Sequence, residues 1–325
     1  MPPLVAAIDP RKAHIVLRRV ITPRTVYERL PRNTRGAVWM IASAMTFTVM
    51  AMLIKYLGED YPAALQTFYR QVASTLVLLP LIFMDPRGAF RTTRPGILLF
   101  RALAGTTGMI LSFYAYQELP LADANALSFT RTLWVVPLAA IVLKEHVGPR
   151  RFTATTIGFL GALLMLQPSG SEGSYLSMPA LAALASAFLI AMTVAGMKFM
   201  TRDHSTTTLM VWSAVLGLVL SIPPALFVWR WPTFTDLMLL AAMGVLGTIT
   251  QWCYIKGMAE GDALVMAPLD YTRLVFAIVV GYLFFSEIPN AMTLVGAGII
   301  IVSTLYITIR ESRLGVPKTT PDRTE

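Results

Sequence analysis

The sequence has little charge, few histidines and almost no cysteine. Charged residues make up 14% of the 325 positions, against about 25% in water-soluble domains, which excludes a soluble globular protein. Cys253 is the only cysteine, so an intrachain disulfide framework and a cysteine-based metal or iron–sulfur site are excluded. The sequence also lacks a phosphate-binding G-x-x-x-x-G-K-[ST] loop and an H-E-x-x-H motif. These absences argue against an enzyme, against ATP-driven function within this chain, and against a bound metal or cofactor.

Long apolar runs dominate what is present. Hydrophobic residues make up 55% of the chain, and the mean hydropathy is +0.62. A membrane-spanning helix needs roughly 20 apolar residues, and these runs lack the two-residue alternation of barrel strands. The predicted fold class is therefore all-α, a polytopic membrane protein with ten transmembrane helices. The ten predicted spans are 36–57, 63–84, 96–116, 122–143, 152–167, 178–200, 206–229, 234–257, 262–285 and 291–310.

The basic excess lies on one side of these spans. The net charge is +9, which by itself is compatible with nucleic-acid binding. If the N-terminus is cytoplasmic, however, Lys55 and Arg230 are the only Lys or Arg residues in the loops of the opposite side. Cytoplasmic loops of membrane proteins are enriched in Lys and Arg. We therefore expect both termini in the cytoplasm, a lipid bilayer as the partner and no nucleic acid, while the oligomeric state is not indicated.

The fourth and ninth predicted spans are similar to each other. Residues 127–131 and 269–273 align at a constant offset of 142, and both segments end in Thr-Arg. Five spans per copy is an odd number, so the second copy enters the membrane from the opposite face. Inverted repeats are typical of secondary transporters, which bind substrate near the midplane where the repeats meet. The predicted organisation is a basic tail at 1–35, five-helix repeats at 36–167 and 168–310, and a tail at 311–325.

Several short motifs resemble those of a known transporter family. They are Arg70, Arg101-Ala-Leu-Ala-Gly105, Tyr114-Ala-Tyr116, Leu119-Pro-Leu-Ala-Asp-Ala124, Ala267-Pro-Leu-Asp-Tyr271, Gly281-Tyr282, Glu287 and Pro289. Over roughly 36–310 the chain resembles the drug/metabolite transporter superfamily in its bacterial ten-helix EamA form. The resemblance implies two inverted units around a cavity lined by the third, fourth, eighth and ninth helices. It also implies transport of amino acids or other metabolites, riboflavin and S-adenosylmethionine among them, across a bacterial inner membrane.

Ionisable residues at membrane depth are the main candidates for a site. A charge at the centre of a span costs about 2.5–3.5 kcal/mol on insertion scales, so it needs a wet cavity or a partner. Arg131 and Arg273 lie near the midplane, and we expect them to bind the carboxylate of an anionic or zwitterionic solute, because a guanidinium pairs with a carboxylate bidentately. The structural alternative is a helix-internal pair of Arg273 with Asp270. Asp270 is also the candidate for proton coupling.

The remaining candidates are less specific. Arg70 is expected to anchor a neighbouring helix carbonyl or acid, and Arg101 to extend to the headgroups. Aromatic and amide side chains on the expected cavity helices are candidates for substrate stacking, with core packing or an interfacial belt as the alternative. These candidates are Trp134, Tyr271, Tyr114, Gln251 and Trp252, of which Trp134 and Tyr271 are favoured because they lie near mid-span.

The predicted function is secondary transport by alternating access. The expected substrate is a small anionic or zwitterionic organic metabolite, such as an amino acid or vitamin-like compound, moved across the inner membrane without a cofactor. Pro137 is expected to kink the fourth span. Glu145 and Glu287, at the ends of the fourth and ninth spans, are expected to act as gate or cap residues at the membrane faces. A flippase for a lipid or lipid-linked substrate is the first alternative, followed by a membrane-embedded enzyme and a non-transporting scaffold. Direction and coupling are not indicated.

Overall fold

The computed structural model describes residues 30–85, 90–92, 94–142, 149–165, 177–203, 206–261 and 263–313. Helices are the only regular elements within these ranges. Their bounds are α1 Arg32–Tyr56, α2 Ala63–Met84, α3 Pro95–Glu118, α4 Leu121–Ser128, α5 Thr130–Val142, α6 Pro149–Met165, α7 Met178–Asp203, α8 Thr206–Phe227, α9 Phe234–Glu260, α10 Ala263–Asp270, α11 Thr272–Phe285 and α12 Ala291–Arg313. Glu145, the C-terminal tail beyond Arg313 and most of the N-terminal tail lie outside the described residues.

These helices correspond to ten crossings. Eight crossings are single helices, whereas α4 with α5 forms the fourth crossing and α10 with α11 the ninth. Within the described part of the chain, six helices are long and apolar enough to span a membrane, and three more apolar helical stretches are shorter. The predicted all-α polytopic fold is confirmed, with span ends within a few residues of those expected from hydropathy.

The packing of the helices repeats between the two halves. Helix α3 packs along α7, and its repeat counterpart α9 packs along α1, the counterpart of α7. Helix α2 packs on its own counterpart α8, and α6 packs on its counterpart α12. Such pairing relates the two five-helix units by a pseudo-two-fold axis, as expected for inverted repeats.

Both broken spans are interrupted at the same place in the repeat. The breaks lie at Phe129 and Tyr271, and the next residue in each case is a threonine whose hydroxyl donates to the carbonyl three residues earlier, at 2.6 Å. Arg131 and Arg273 follow directly. The backbone of Phe129 and Tyr271 stays in the right-handed helical region, and the hydrogen bonds at this point span three residues rather than four. The helix is thus tightened locally, and each arginine lies in the first turn after this point. Pro137 lies inside α5, which continues through it, and the kink expected there stays a prediction.

Glycines bring α6 and α12 into close contact. A methyl group added at Gly161 would lie 2.9 Å from the carbonyl oxygen of Gly296, closer than real side chains approach. Gly298, two residues further along α12 and therefore on a different face, has open space where a methyl group would lie. The close approach of these two symmetry-related helices therefore depends on Gly161 and Gly296, in keeping with the role of small residues at helix interfaces in lipid.

Candidate functional site

One carboxylate joins the two repeats at mid-membrane. Asp270 Oδ2 lies 3.1 Å from Nη2 of Arg131, and Asp270 Oδ1 lies 2.6 Å from Nη2 of Arg273. The helix-internal pair expected between Asp270 and Arg273 is therefore present, and Arg131 of the other repeat shares the same carboxylate. Two guanidinium groups and one carboxylate carry a net charge of +1, so this cluster is not electrically balanced by its own members.

The two arginines differ in their surroundings. The Arg273 side chain is 8% exposed, and its guanidinium lies over the ring of Phe47 at 4.6 Å and near the ring of Tyr254 at 5.9 Å. Cation–π contacts of this kind stabilise a desolvated guanidinium. The Arg131 side chain is 31% exposed, and this exposure faces an internal cavity rather than a ring.

That cavity has a volume of about 90 Å³ and lies among α1, α3, α4, α5 and α7. Its polar lining consists of Arg131 and the side chains of Ser112, Ser128 and Ser186, and its aromatic lining of Phe47 and Tyr116; the other lining residues are Ala115, Ala124, Ala183, Ala187 and Ile190. Ligand pockets usually measure about 300–1,000 Å³, so this cavity has to widen before it can hold a metabolite. A guanidinium beside hydroxyl groups is suited to binding a carboxylate.

The repeat symmetry gives this cavity a counterpart. Ser128, which lines the cavity, occupies the position of Asp270 in the second repeat, and Arg131 occupies the position of Arg273. The counterpart region is enclosed by α9, α10, α11 and α1, and there Phe47 and Tyr254 cover the guanidinium of Arg273. The cavity thus borders Arg131, whereas aromatic rings cover the guanidinium of its counterpart Arg273, and Phe47 takes part in both surroundings.

Tyr271 and Trp134 pack beside the cluster rather than line the cavity. Tyr271 meets the ring of Phe129 edge-on at 4.7 Å, and its hydroxyl donates to the hydroxyl of Thr304. Trp134 lies between the rings of Phe159 at 4.6 Å and Phe188 at 5.1 Å. Both contacts hold the half-helices that carry the arginines, which is the packing alternative considered for these aromatics.

Three other candidates lie away from the cavity. Tyr114 is half-buried against the main hydrophobic core. Gln251 is exposed, and Trp252 is 51% exposed and meets the edge of Trp39 at 4.9 Å. Helix α9 turns the face that contains Cys253 inward, so the two preceding residues point away from the interior. The expectation that these side chains line the cavity is not met.

Several lining residues were not expected. Phe47 lies on α1 and Ser186 on α7, helices outside the set that the resemblance suggested, and small hydroxyl residues in apolar helices give no distinctive sequence signal. Phe47 and Ser186 could be recognised as lining residues only after the packing of the counterpart helices α1 and α7 was known. No group of three or more His, Cys, Asp or Glu that could hold a metal occurs in the part of the chain that the structure describes.

A second polar cluster closes one end of the bundle, the end away from the first residue of α1. Lys55 forms an ion pair with Glu287, and both side chains are 15% exposed. Lys55 Nζ donates to the carbonyl of Leu119 at 2.7 Å, and the other carboxylate oxygen of Glu287 accepts from the N–H of Leu121 at 2.8 Å. Ser286, in the left-handed conformation at φ 54°, turns the chain so that Glu287 faces inward. The cluster ties α1 to the α3–α4 junction and to the segment before α12.

This end cluster lies close to the cavity. Tyr116 and Ala124, which line the cavity, lie one helical turn from Leu119 and Leu121 respectively, and the ion pair is bound to the backbone of these two leucines. In the adjoining loop, burial raises the pKa of Tyr61, and its hydrogen bond to Asp236 at 2.9 Å acts in the same direction.

Comparison with known proteins agrees with this architecture. The model of the EamA-like transporter family matches residues 34–167 and 177–309, one copy for each five-helix unit. A solved crystal structure that covers 86% of this chain, with 99% of its own chain covered, has a TM-score of 0.60 at 17% identity, which shows a shared fold.

The curated relatives are similar over nearly their whole length. An S-adenosylmethionine uptake transporter of Rickettsia prowazekii is 30% identical over 88% of this chain and 96% of its own. A riboflavin transporter of Vibrio cholerae is 27% identical over 86% and 94%, and a pseudopaline exporter of Pseudomonas aeruginosa 28% over 84% and 95%. All of these are transporters rather than enzymes. The chain belongs to the EamA-like transporter family, within the drug/metabolite transporter superfamily.

Proposed function

We propose that this protein is a secondary transporter that binds the carboxylate of a small anionic or zwitterionic metabolite at Arg131. The observation that carries the proposal is the cavity between the repeats, which the partly exposed side chain of Arg131 lines together with three serines. Arg273 and Asp270 complete the site from the second repeat, and Trp134 and Tyr271 support it by packing. Gln251, Trp252 and Tyr114 are left out of the proposed site.

The charges of the cluster favour a carboxylate over a neutral ligand. The net charge of +1 is neutralised when one carboxylate binds, and Arg131 has its exposed edge free to form the bidentate pair. As the solute carboxylate draws Arg131 away, Asp270 keeps its shorter contact with Arg273. The second carboxylate oxygen then becomes available to an ammonium or sulfonium group, which is how a zwitterion would satisfy the same site.

The asymmetry between the repeats supports alternating access. In this structure a cavity borders Arg131, whereas Phe47, which also lines that cavity, and Tyr254 cover the guanidinium of Arg273. Exchange of the two arrangements would open the counterpart region toward the other face of the membrane. The ion pair of Lys55 with Glu287 is then the gate that closes the cavity at its own end of the bundle, and it breaks and forms again once in each transport cycle.

The compartment and orientation belong to the same proposal. Positive loop charge supports cytoplasmic termini and a location in the inner membrane, and this places the Lys55–Glu287 gate at the outer face. The similar proteins carry S-adenosylmethionine, riboflavin and pseudopaline according to their names. These compounds are different enough that they define a panel to be tested rather than one substrate.

The test is transport by the purified protein in liposomes. Labelled amino acids, S-adenosylmethionine, riboflavin and carboxylate-rich metabolites are offered to wild type, to Arg131→Ala and to the control Arg101→Lys, whose guanidinium donates to Ser213 outside the cavity. We expect saturable flux of at least one carboxylate-bearing solute, lost in Arg131→Ala and retained in the control. Flux that is unchanged in the combined Arg131→Ala and Arg273→Ala variant removes the site. Translocation of labelled lipid without solute flux favours the flippase instead.

A further inference from the structure

Arg70 is a third guanidinium at membrane depth, and it differs from the other two in having no acid beside it. It projects from α2 into the interior among α1, α3 and α9. Its Nη1 donates to the sulfur of Met109 at 2.8 Å, and its Nε is buried without a hydrogen-bond partner. Among the residues that the structure describes, no oxygen accepts from this guanidinium, so the expected anchor to a carbonyl or acid is not found.

The chain nevertheless makes room for this side chain. A methyl group added at Gly247 would lie 2.8 Å from Nε and 3.3 Å from Nη2 of Arg70. The guanidinium therefore lies directly against the backbone of α9, and a side chain at position 247 would have to displace it. The space beside Gly247 thus accommodates the guanidinium of Arg70 inside the bundle, unlike an arginine at the end of a span, whose charge extends to the headgroups.

An arginine in this setting is short of acceptors. A guanidinium has five N–H donors, and a thioether sulfur is a weak acceptor. Buried charges in proteins are normally paired or hydrogen-bonded, because an isolated one is costly to desolvate. Asp270, the acid deep in the described spans, is already shared by Arg131 and Arg273. The chain therefore leaves donors of Arg70 that water or a bound anion can satisfy.

Arg70 also lies close to the proposed transport cavity. Ser112 and Phe47 line the cavity. Met109, which accepts from Arg70, lies one helical turn from Ser112. Met50, which borders Gly247, lies one turn from Phe47. Unbranched methionine side chains change rotamer readily. A rotation of Met109 would release Nη1 and connect the guanidinium with the cavity when the cavity widens.

We propose that Arg70 is a second anion subsite, which binds a carboxylate or phosphoryl oxygen. The proposal that Arg70 binds an anion is argued from the contacts of Arg70 alone. The assignment of that oxygen to the transported solute rests on the proposed function, and it implies a metabolite with two acidic groups, one at Arg131 and one at Arg70. The alternative source of the same chemistry is a free anion from solution.

The test is the thermal stability of the detergent-solubilised protein. Wild type, Arg70→Met and the control Arg101→Met are compared in a zwitterionic buffer of low ionic strength, then with acetate, inorganic phosphate or glutarate added. Because Arg70 lacks an acceptor of its own, we expect Arg70→Met to melt at or above the wild-type temperature without added anion. Added anions should raise the melting temperature of the wild type and the control by more than that of Arg70→Met.

The same series in an Arg131→Ala background isolates the subsite. An anion response that survives Arg131→Ala and vanishes when Arg70→Met is added comes from Arg70. A response to acetate or phosphate identifies a free anion, whereas a response to glutarate that needs both arginines identifies a second acidic group of the solute. The proposal is overturned if Arg70→Met melts well below the wild type and keeps the full anion response, because Arg70 is then a structural residue. Neither result depends on measured transport.

Discussion

Replacement of Arg131 should weaken substrate binding without unfolding the protein. In Arg131→Ala the carboxylate of Asp270 still pairs with Arg273 at 2.6 Å, so no buried charge is left alone. Arg273→Ala is different, because it removes the shorter ion pair and the contact over Phe47 at 4.6 Å. The two symmetry-related arginines are therefore expected to give opposite patterns of binding and stability defects.

The expected magnitudes follow from the contacts. A hydrogen bond to a charged group contributes about 1.5–3 kcal/mol, and 1.4 kcal/mol corresponds to a tenfold change in affinity. Arg131→Ala should therefore raise the half-saturating solute concentration by about 10- to 150-fold, since the cavity loses its guanidinium. In Arg273→Ala the carboxylate of Asp270 still pairs with Arg131, so the loss is that of one charged hydrogen bond, about 1.5–3 kcal/mol of stability. Arg131→Ala should lose less, because its side chain is already 31% exposed.

The assay combines saturable uptake in liposomes with thermal unfolding of the same preparations in detergent. Arg131→Lys is the matched variant, because it keeps the charge but not the bidentate fork, and it should fall between wild type and Arg131→Ala. Half-saturation within twofold of wild type in Arg131→Ala would refute the assignment of this residue as the carboxylate-binding group. A stability loss in Arg131→Ala as large as in Arg273→Ala would show that both arginines are helix locks.

Three further predictions concern the supporting contacts. Asp270→Asn leaves the buried guanidinium of Arg273 and the partly exposed one of Arg131 without a counter-charge, and it should cost about 3–5 kcal/mol in thermal or denaturant unfolding; wild-type stability would contradict the shared-carboxylate account. Glu287→Gln should break the ion pair with Lys55 and speed the labelling of a cavity cysteine from the outer face, whereas an unchanged rate would exclude a gate. Gly161→Ala should lower the melting temperature, since overpacking costs about 1–3 kcal/mol, while Gly298→Ala, with open space, should not; equal effects would contradict the close α6–α12 contact.

The architecture was predictable because membrane spans depend on local composition. About 20 consecutive apolar residues specify a crossing whatever the rest of the chain does, and the inverted repeat follows from five spans per copy. The interruptions at Phe129 and Tyr271 were not predictable, because the same pattern of an aromatic residue followed by threonine lies within a continuous helix at Phe47-Thr48 of α1.

The charged part of the site was also accessible from the sequence. Arg131, Arg273 and Asp270 stand out because charge is costly in a span, but their meeting at one carboxylate depends on how α5 and α11 pack, which sequence does not encode locally. Gln251 and Trp252 likewise show that the sequence does not reveal which side chains of a span face the interior. Helix α9 is apolar on most of its surface, so hydropathy does not reveal which face points inward, and both residues lie on the exposed face.

The most direct measurement is the accessibility of a cysteine placed in the cavity. Ser186→Cys, in a Cys253→Ser background, is exposed to a membrane-impermeant thiol reagent in vesicles of each orientation, with Val275→Cys, 58% exposed on the surface of α11, as the lipid-facing control. We expect Ser186→Cys to react from either side of the membrane, with protection by transported solute, and the control to remain unlabelled. Labelling of the cavity cysteine no faster than the control from both sides would contradict a water-filled, alternately opened site between the repeats.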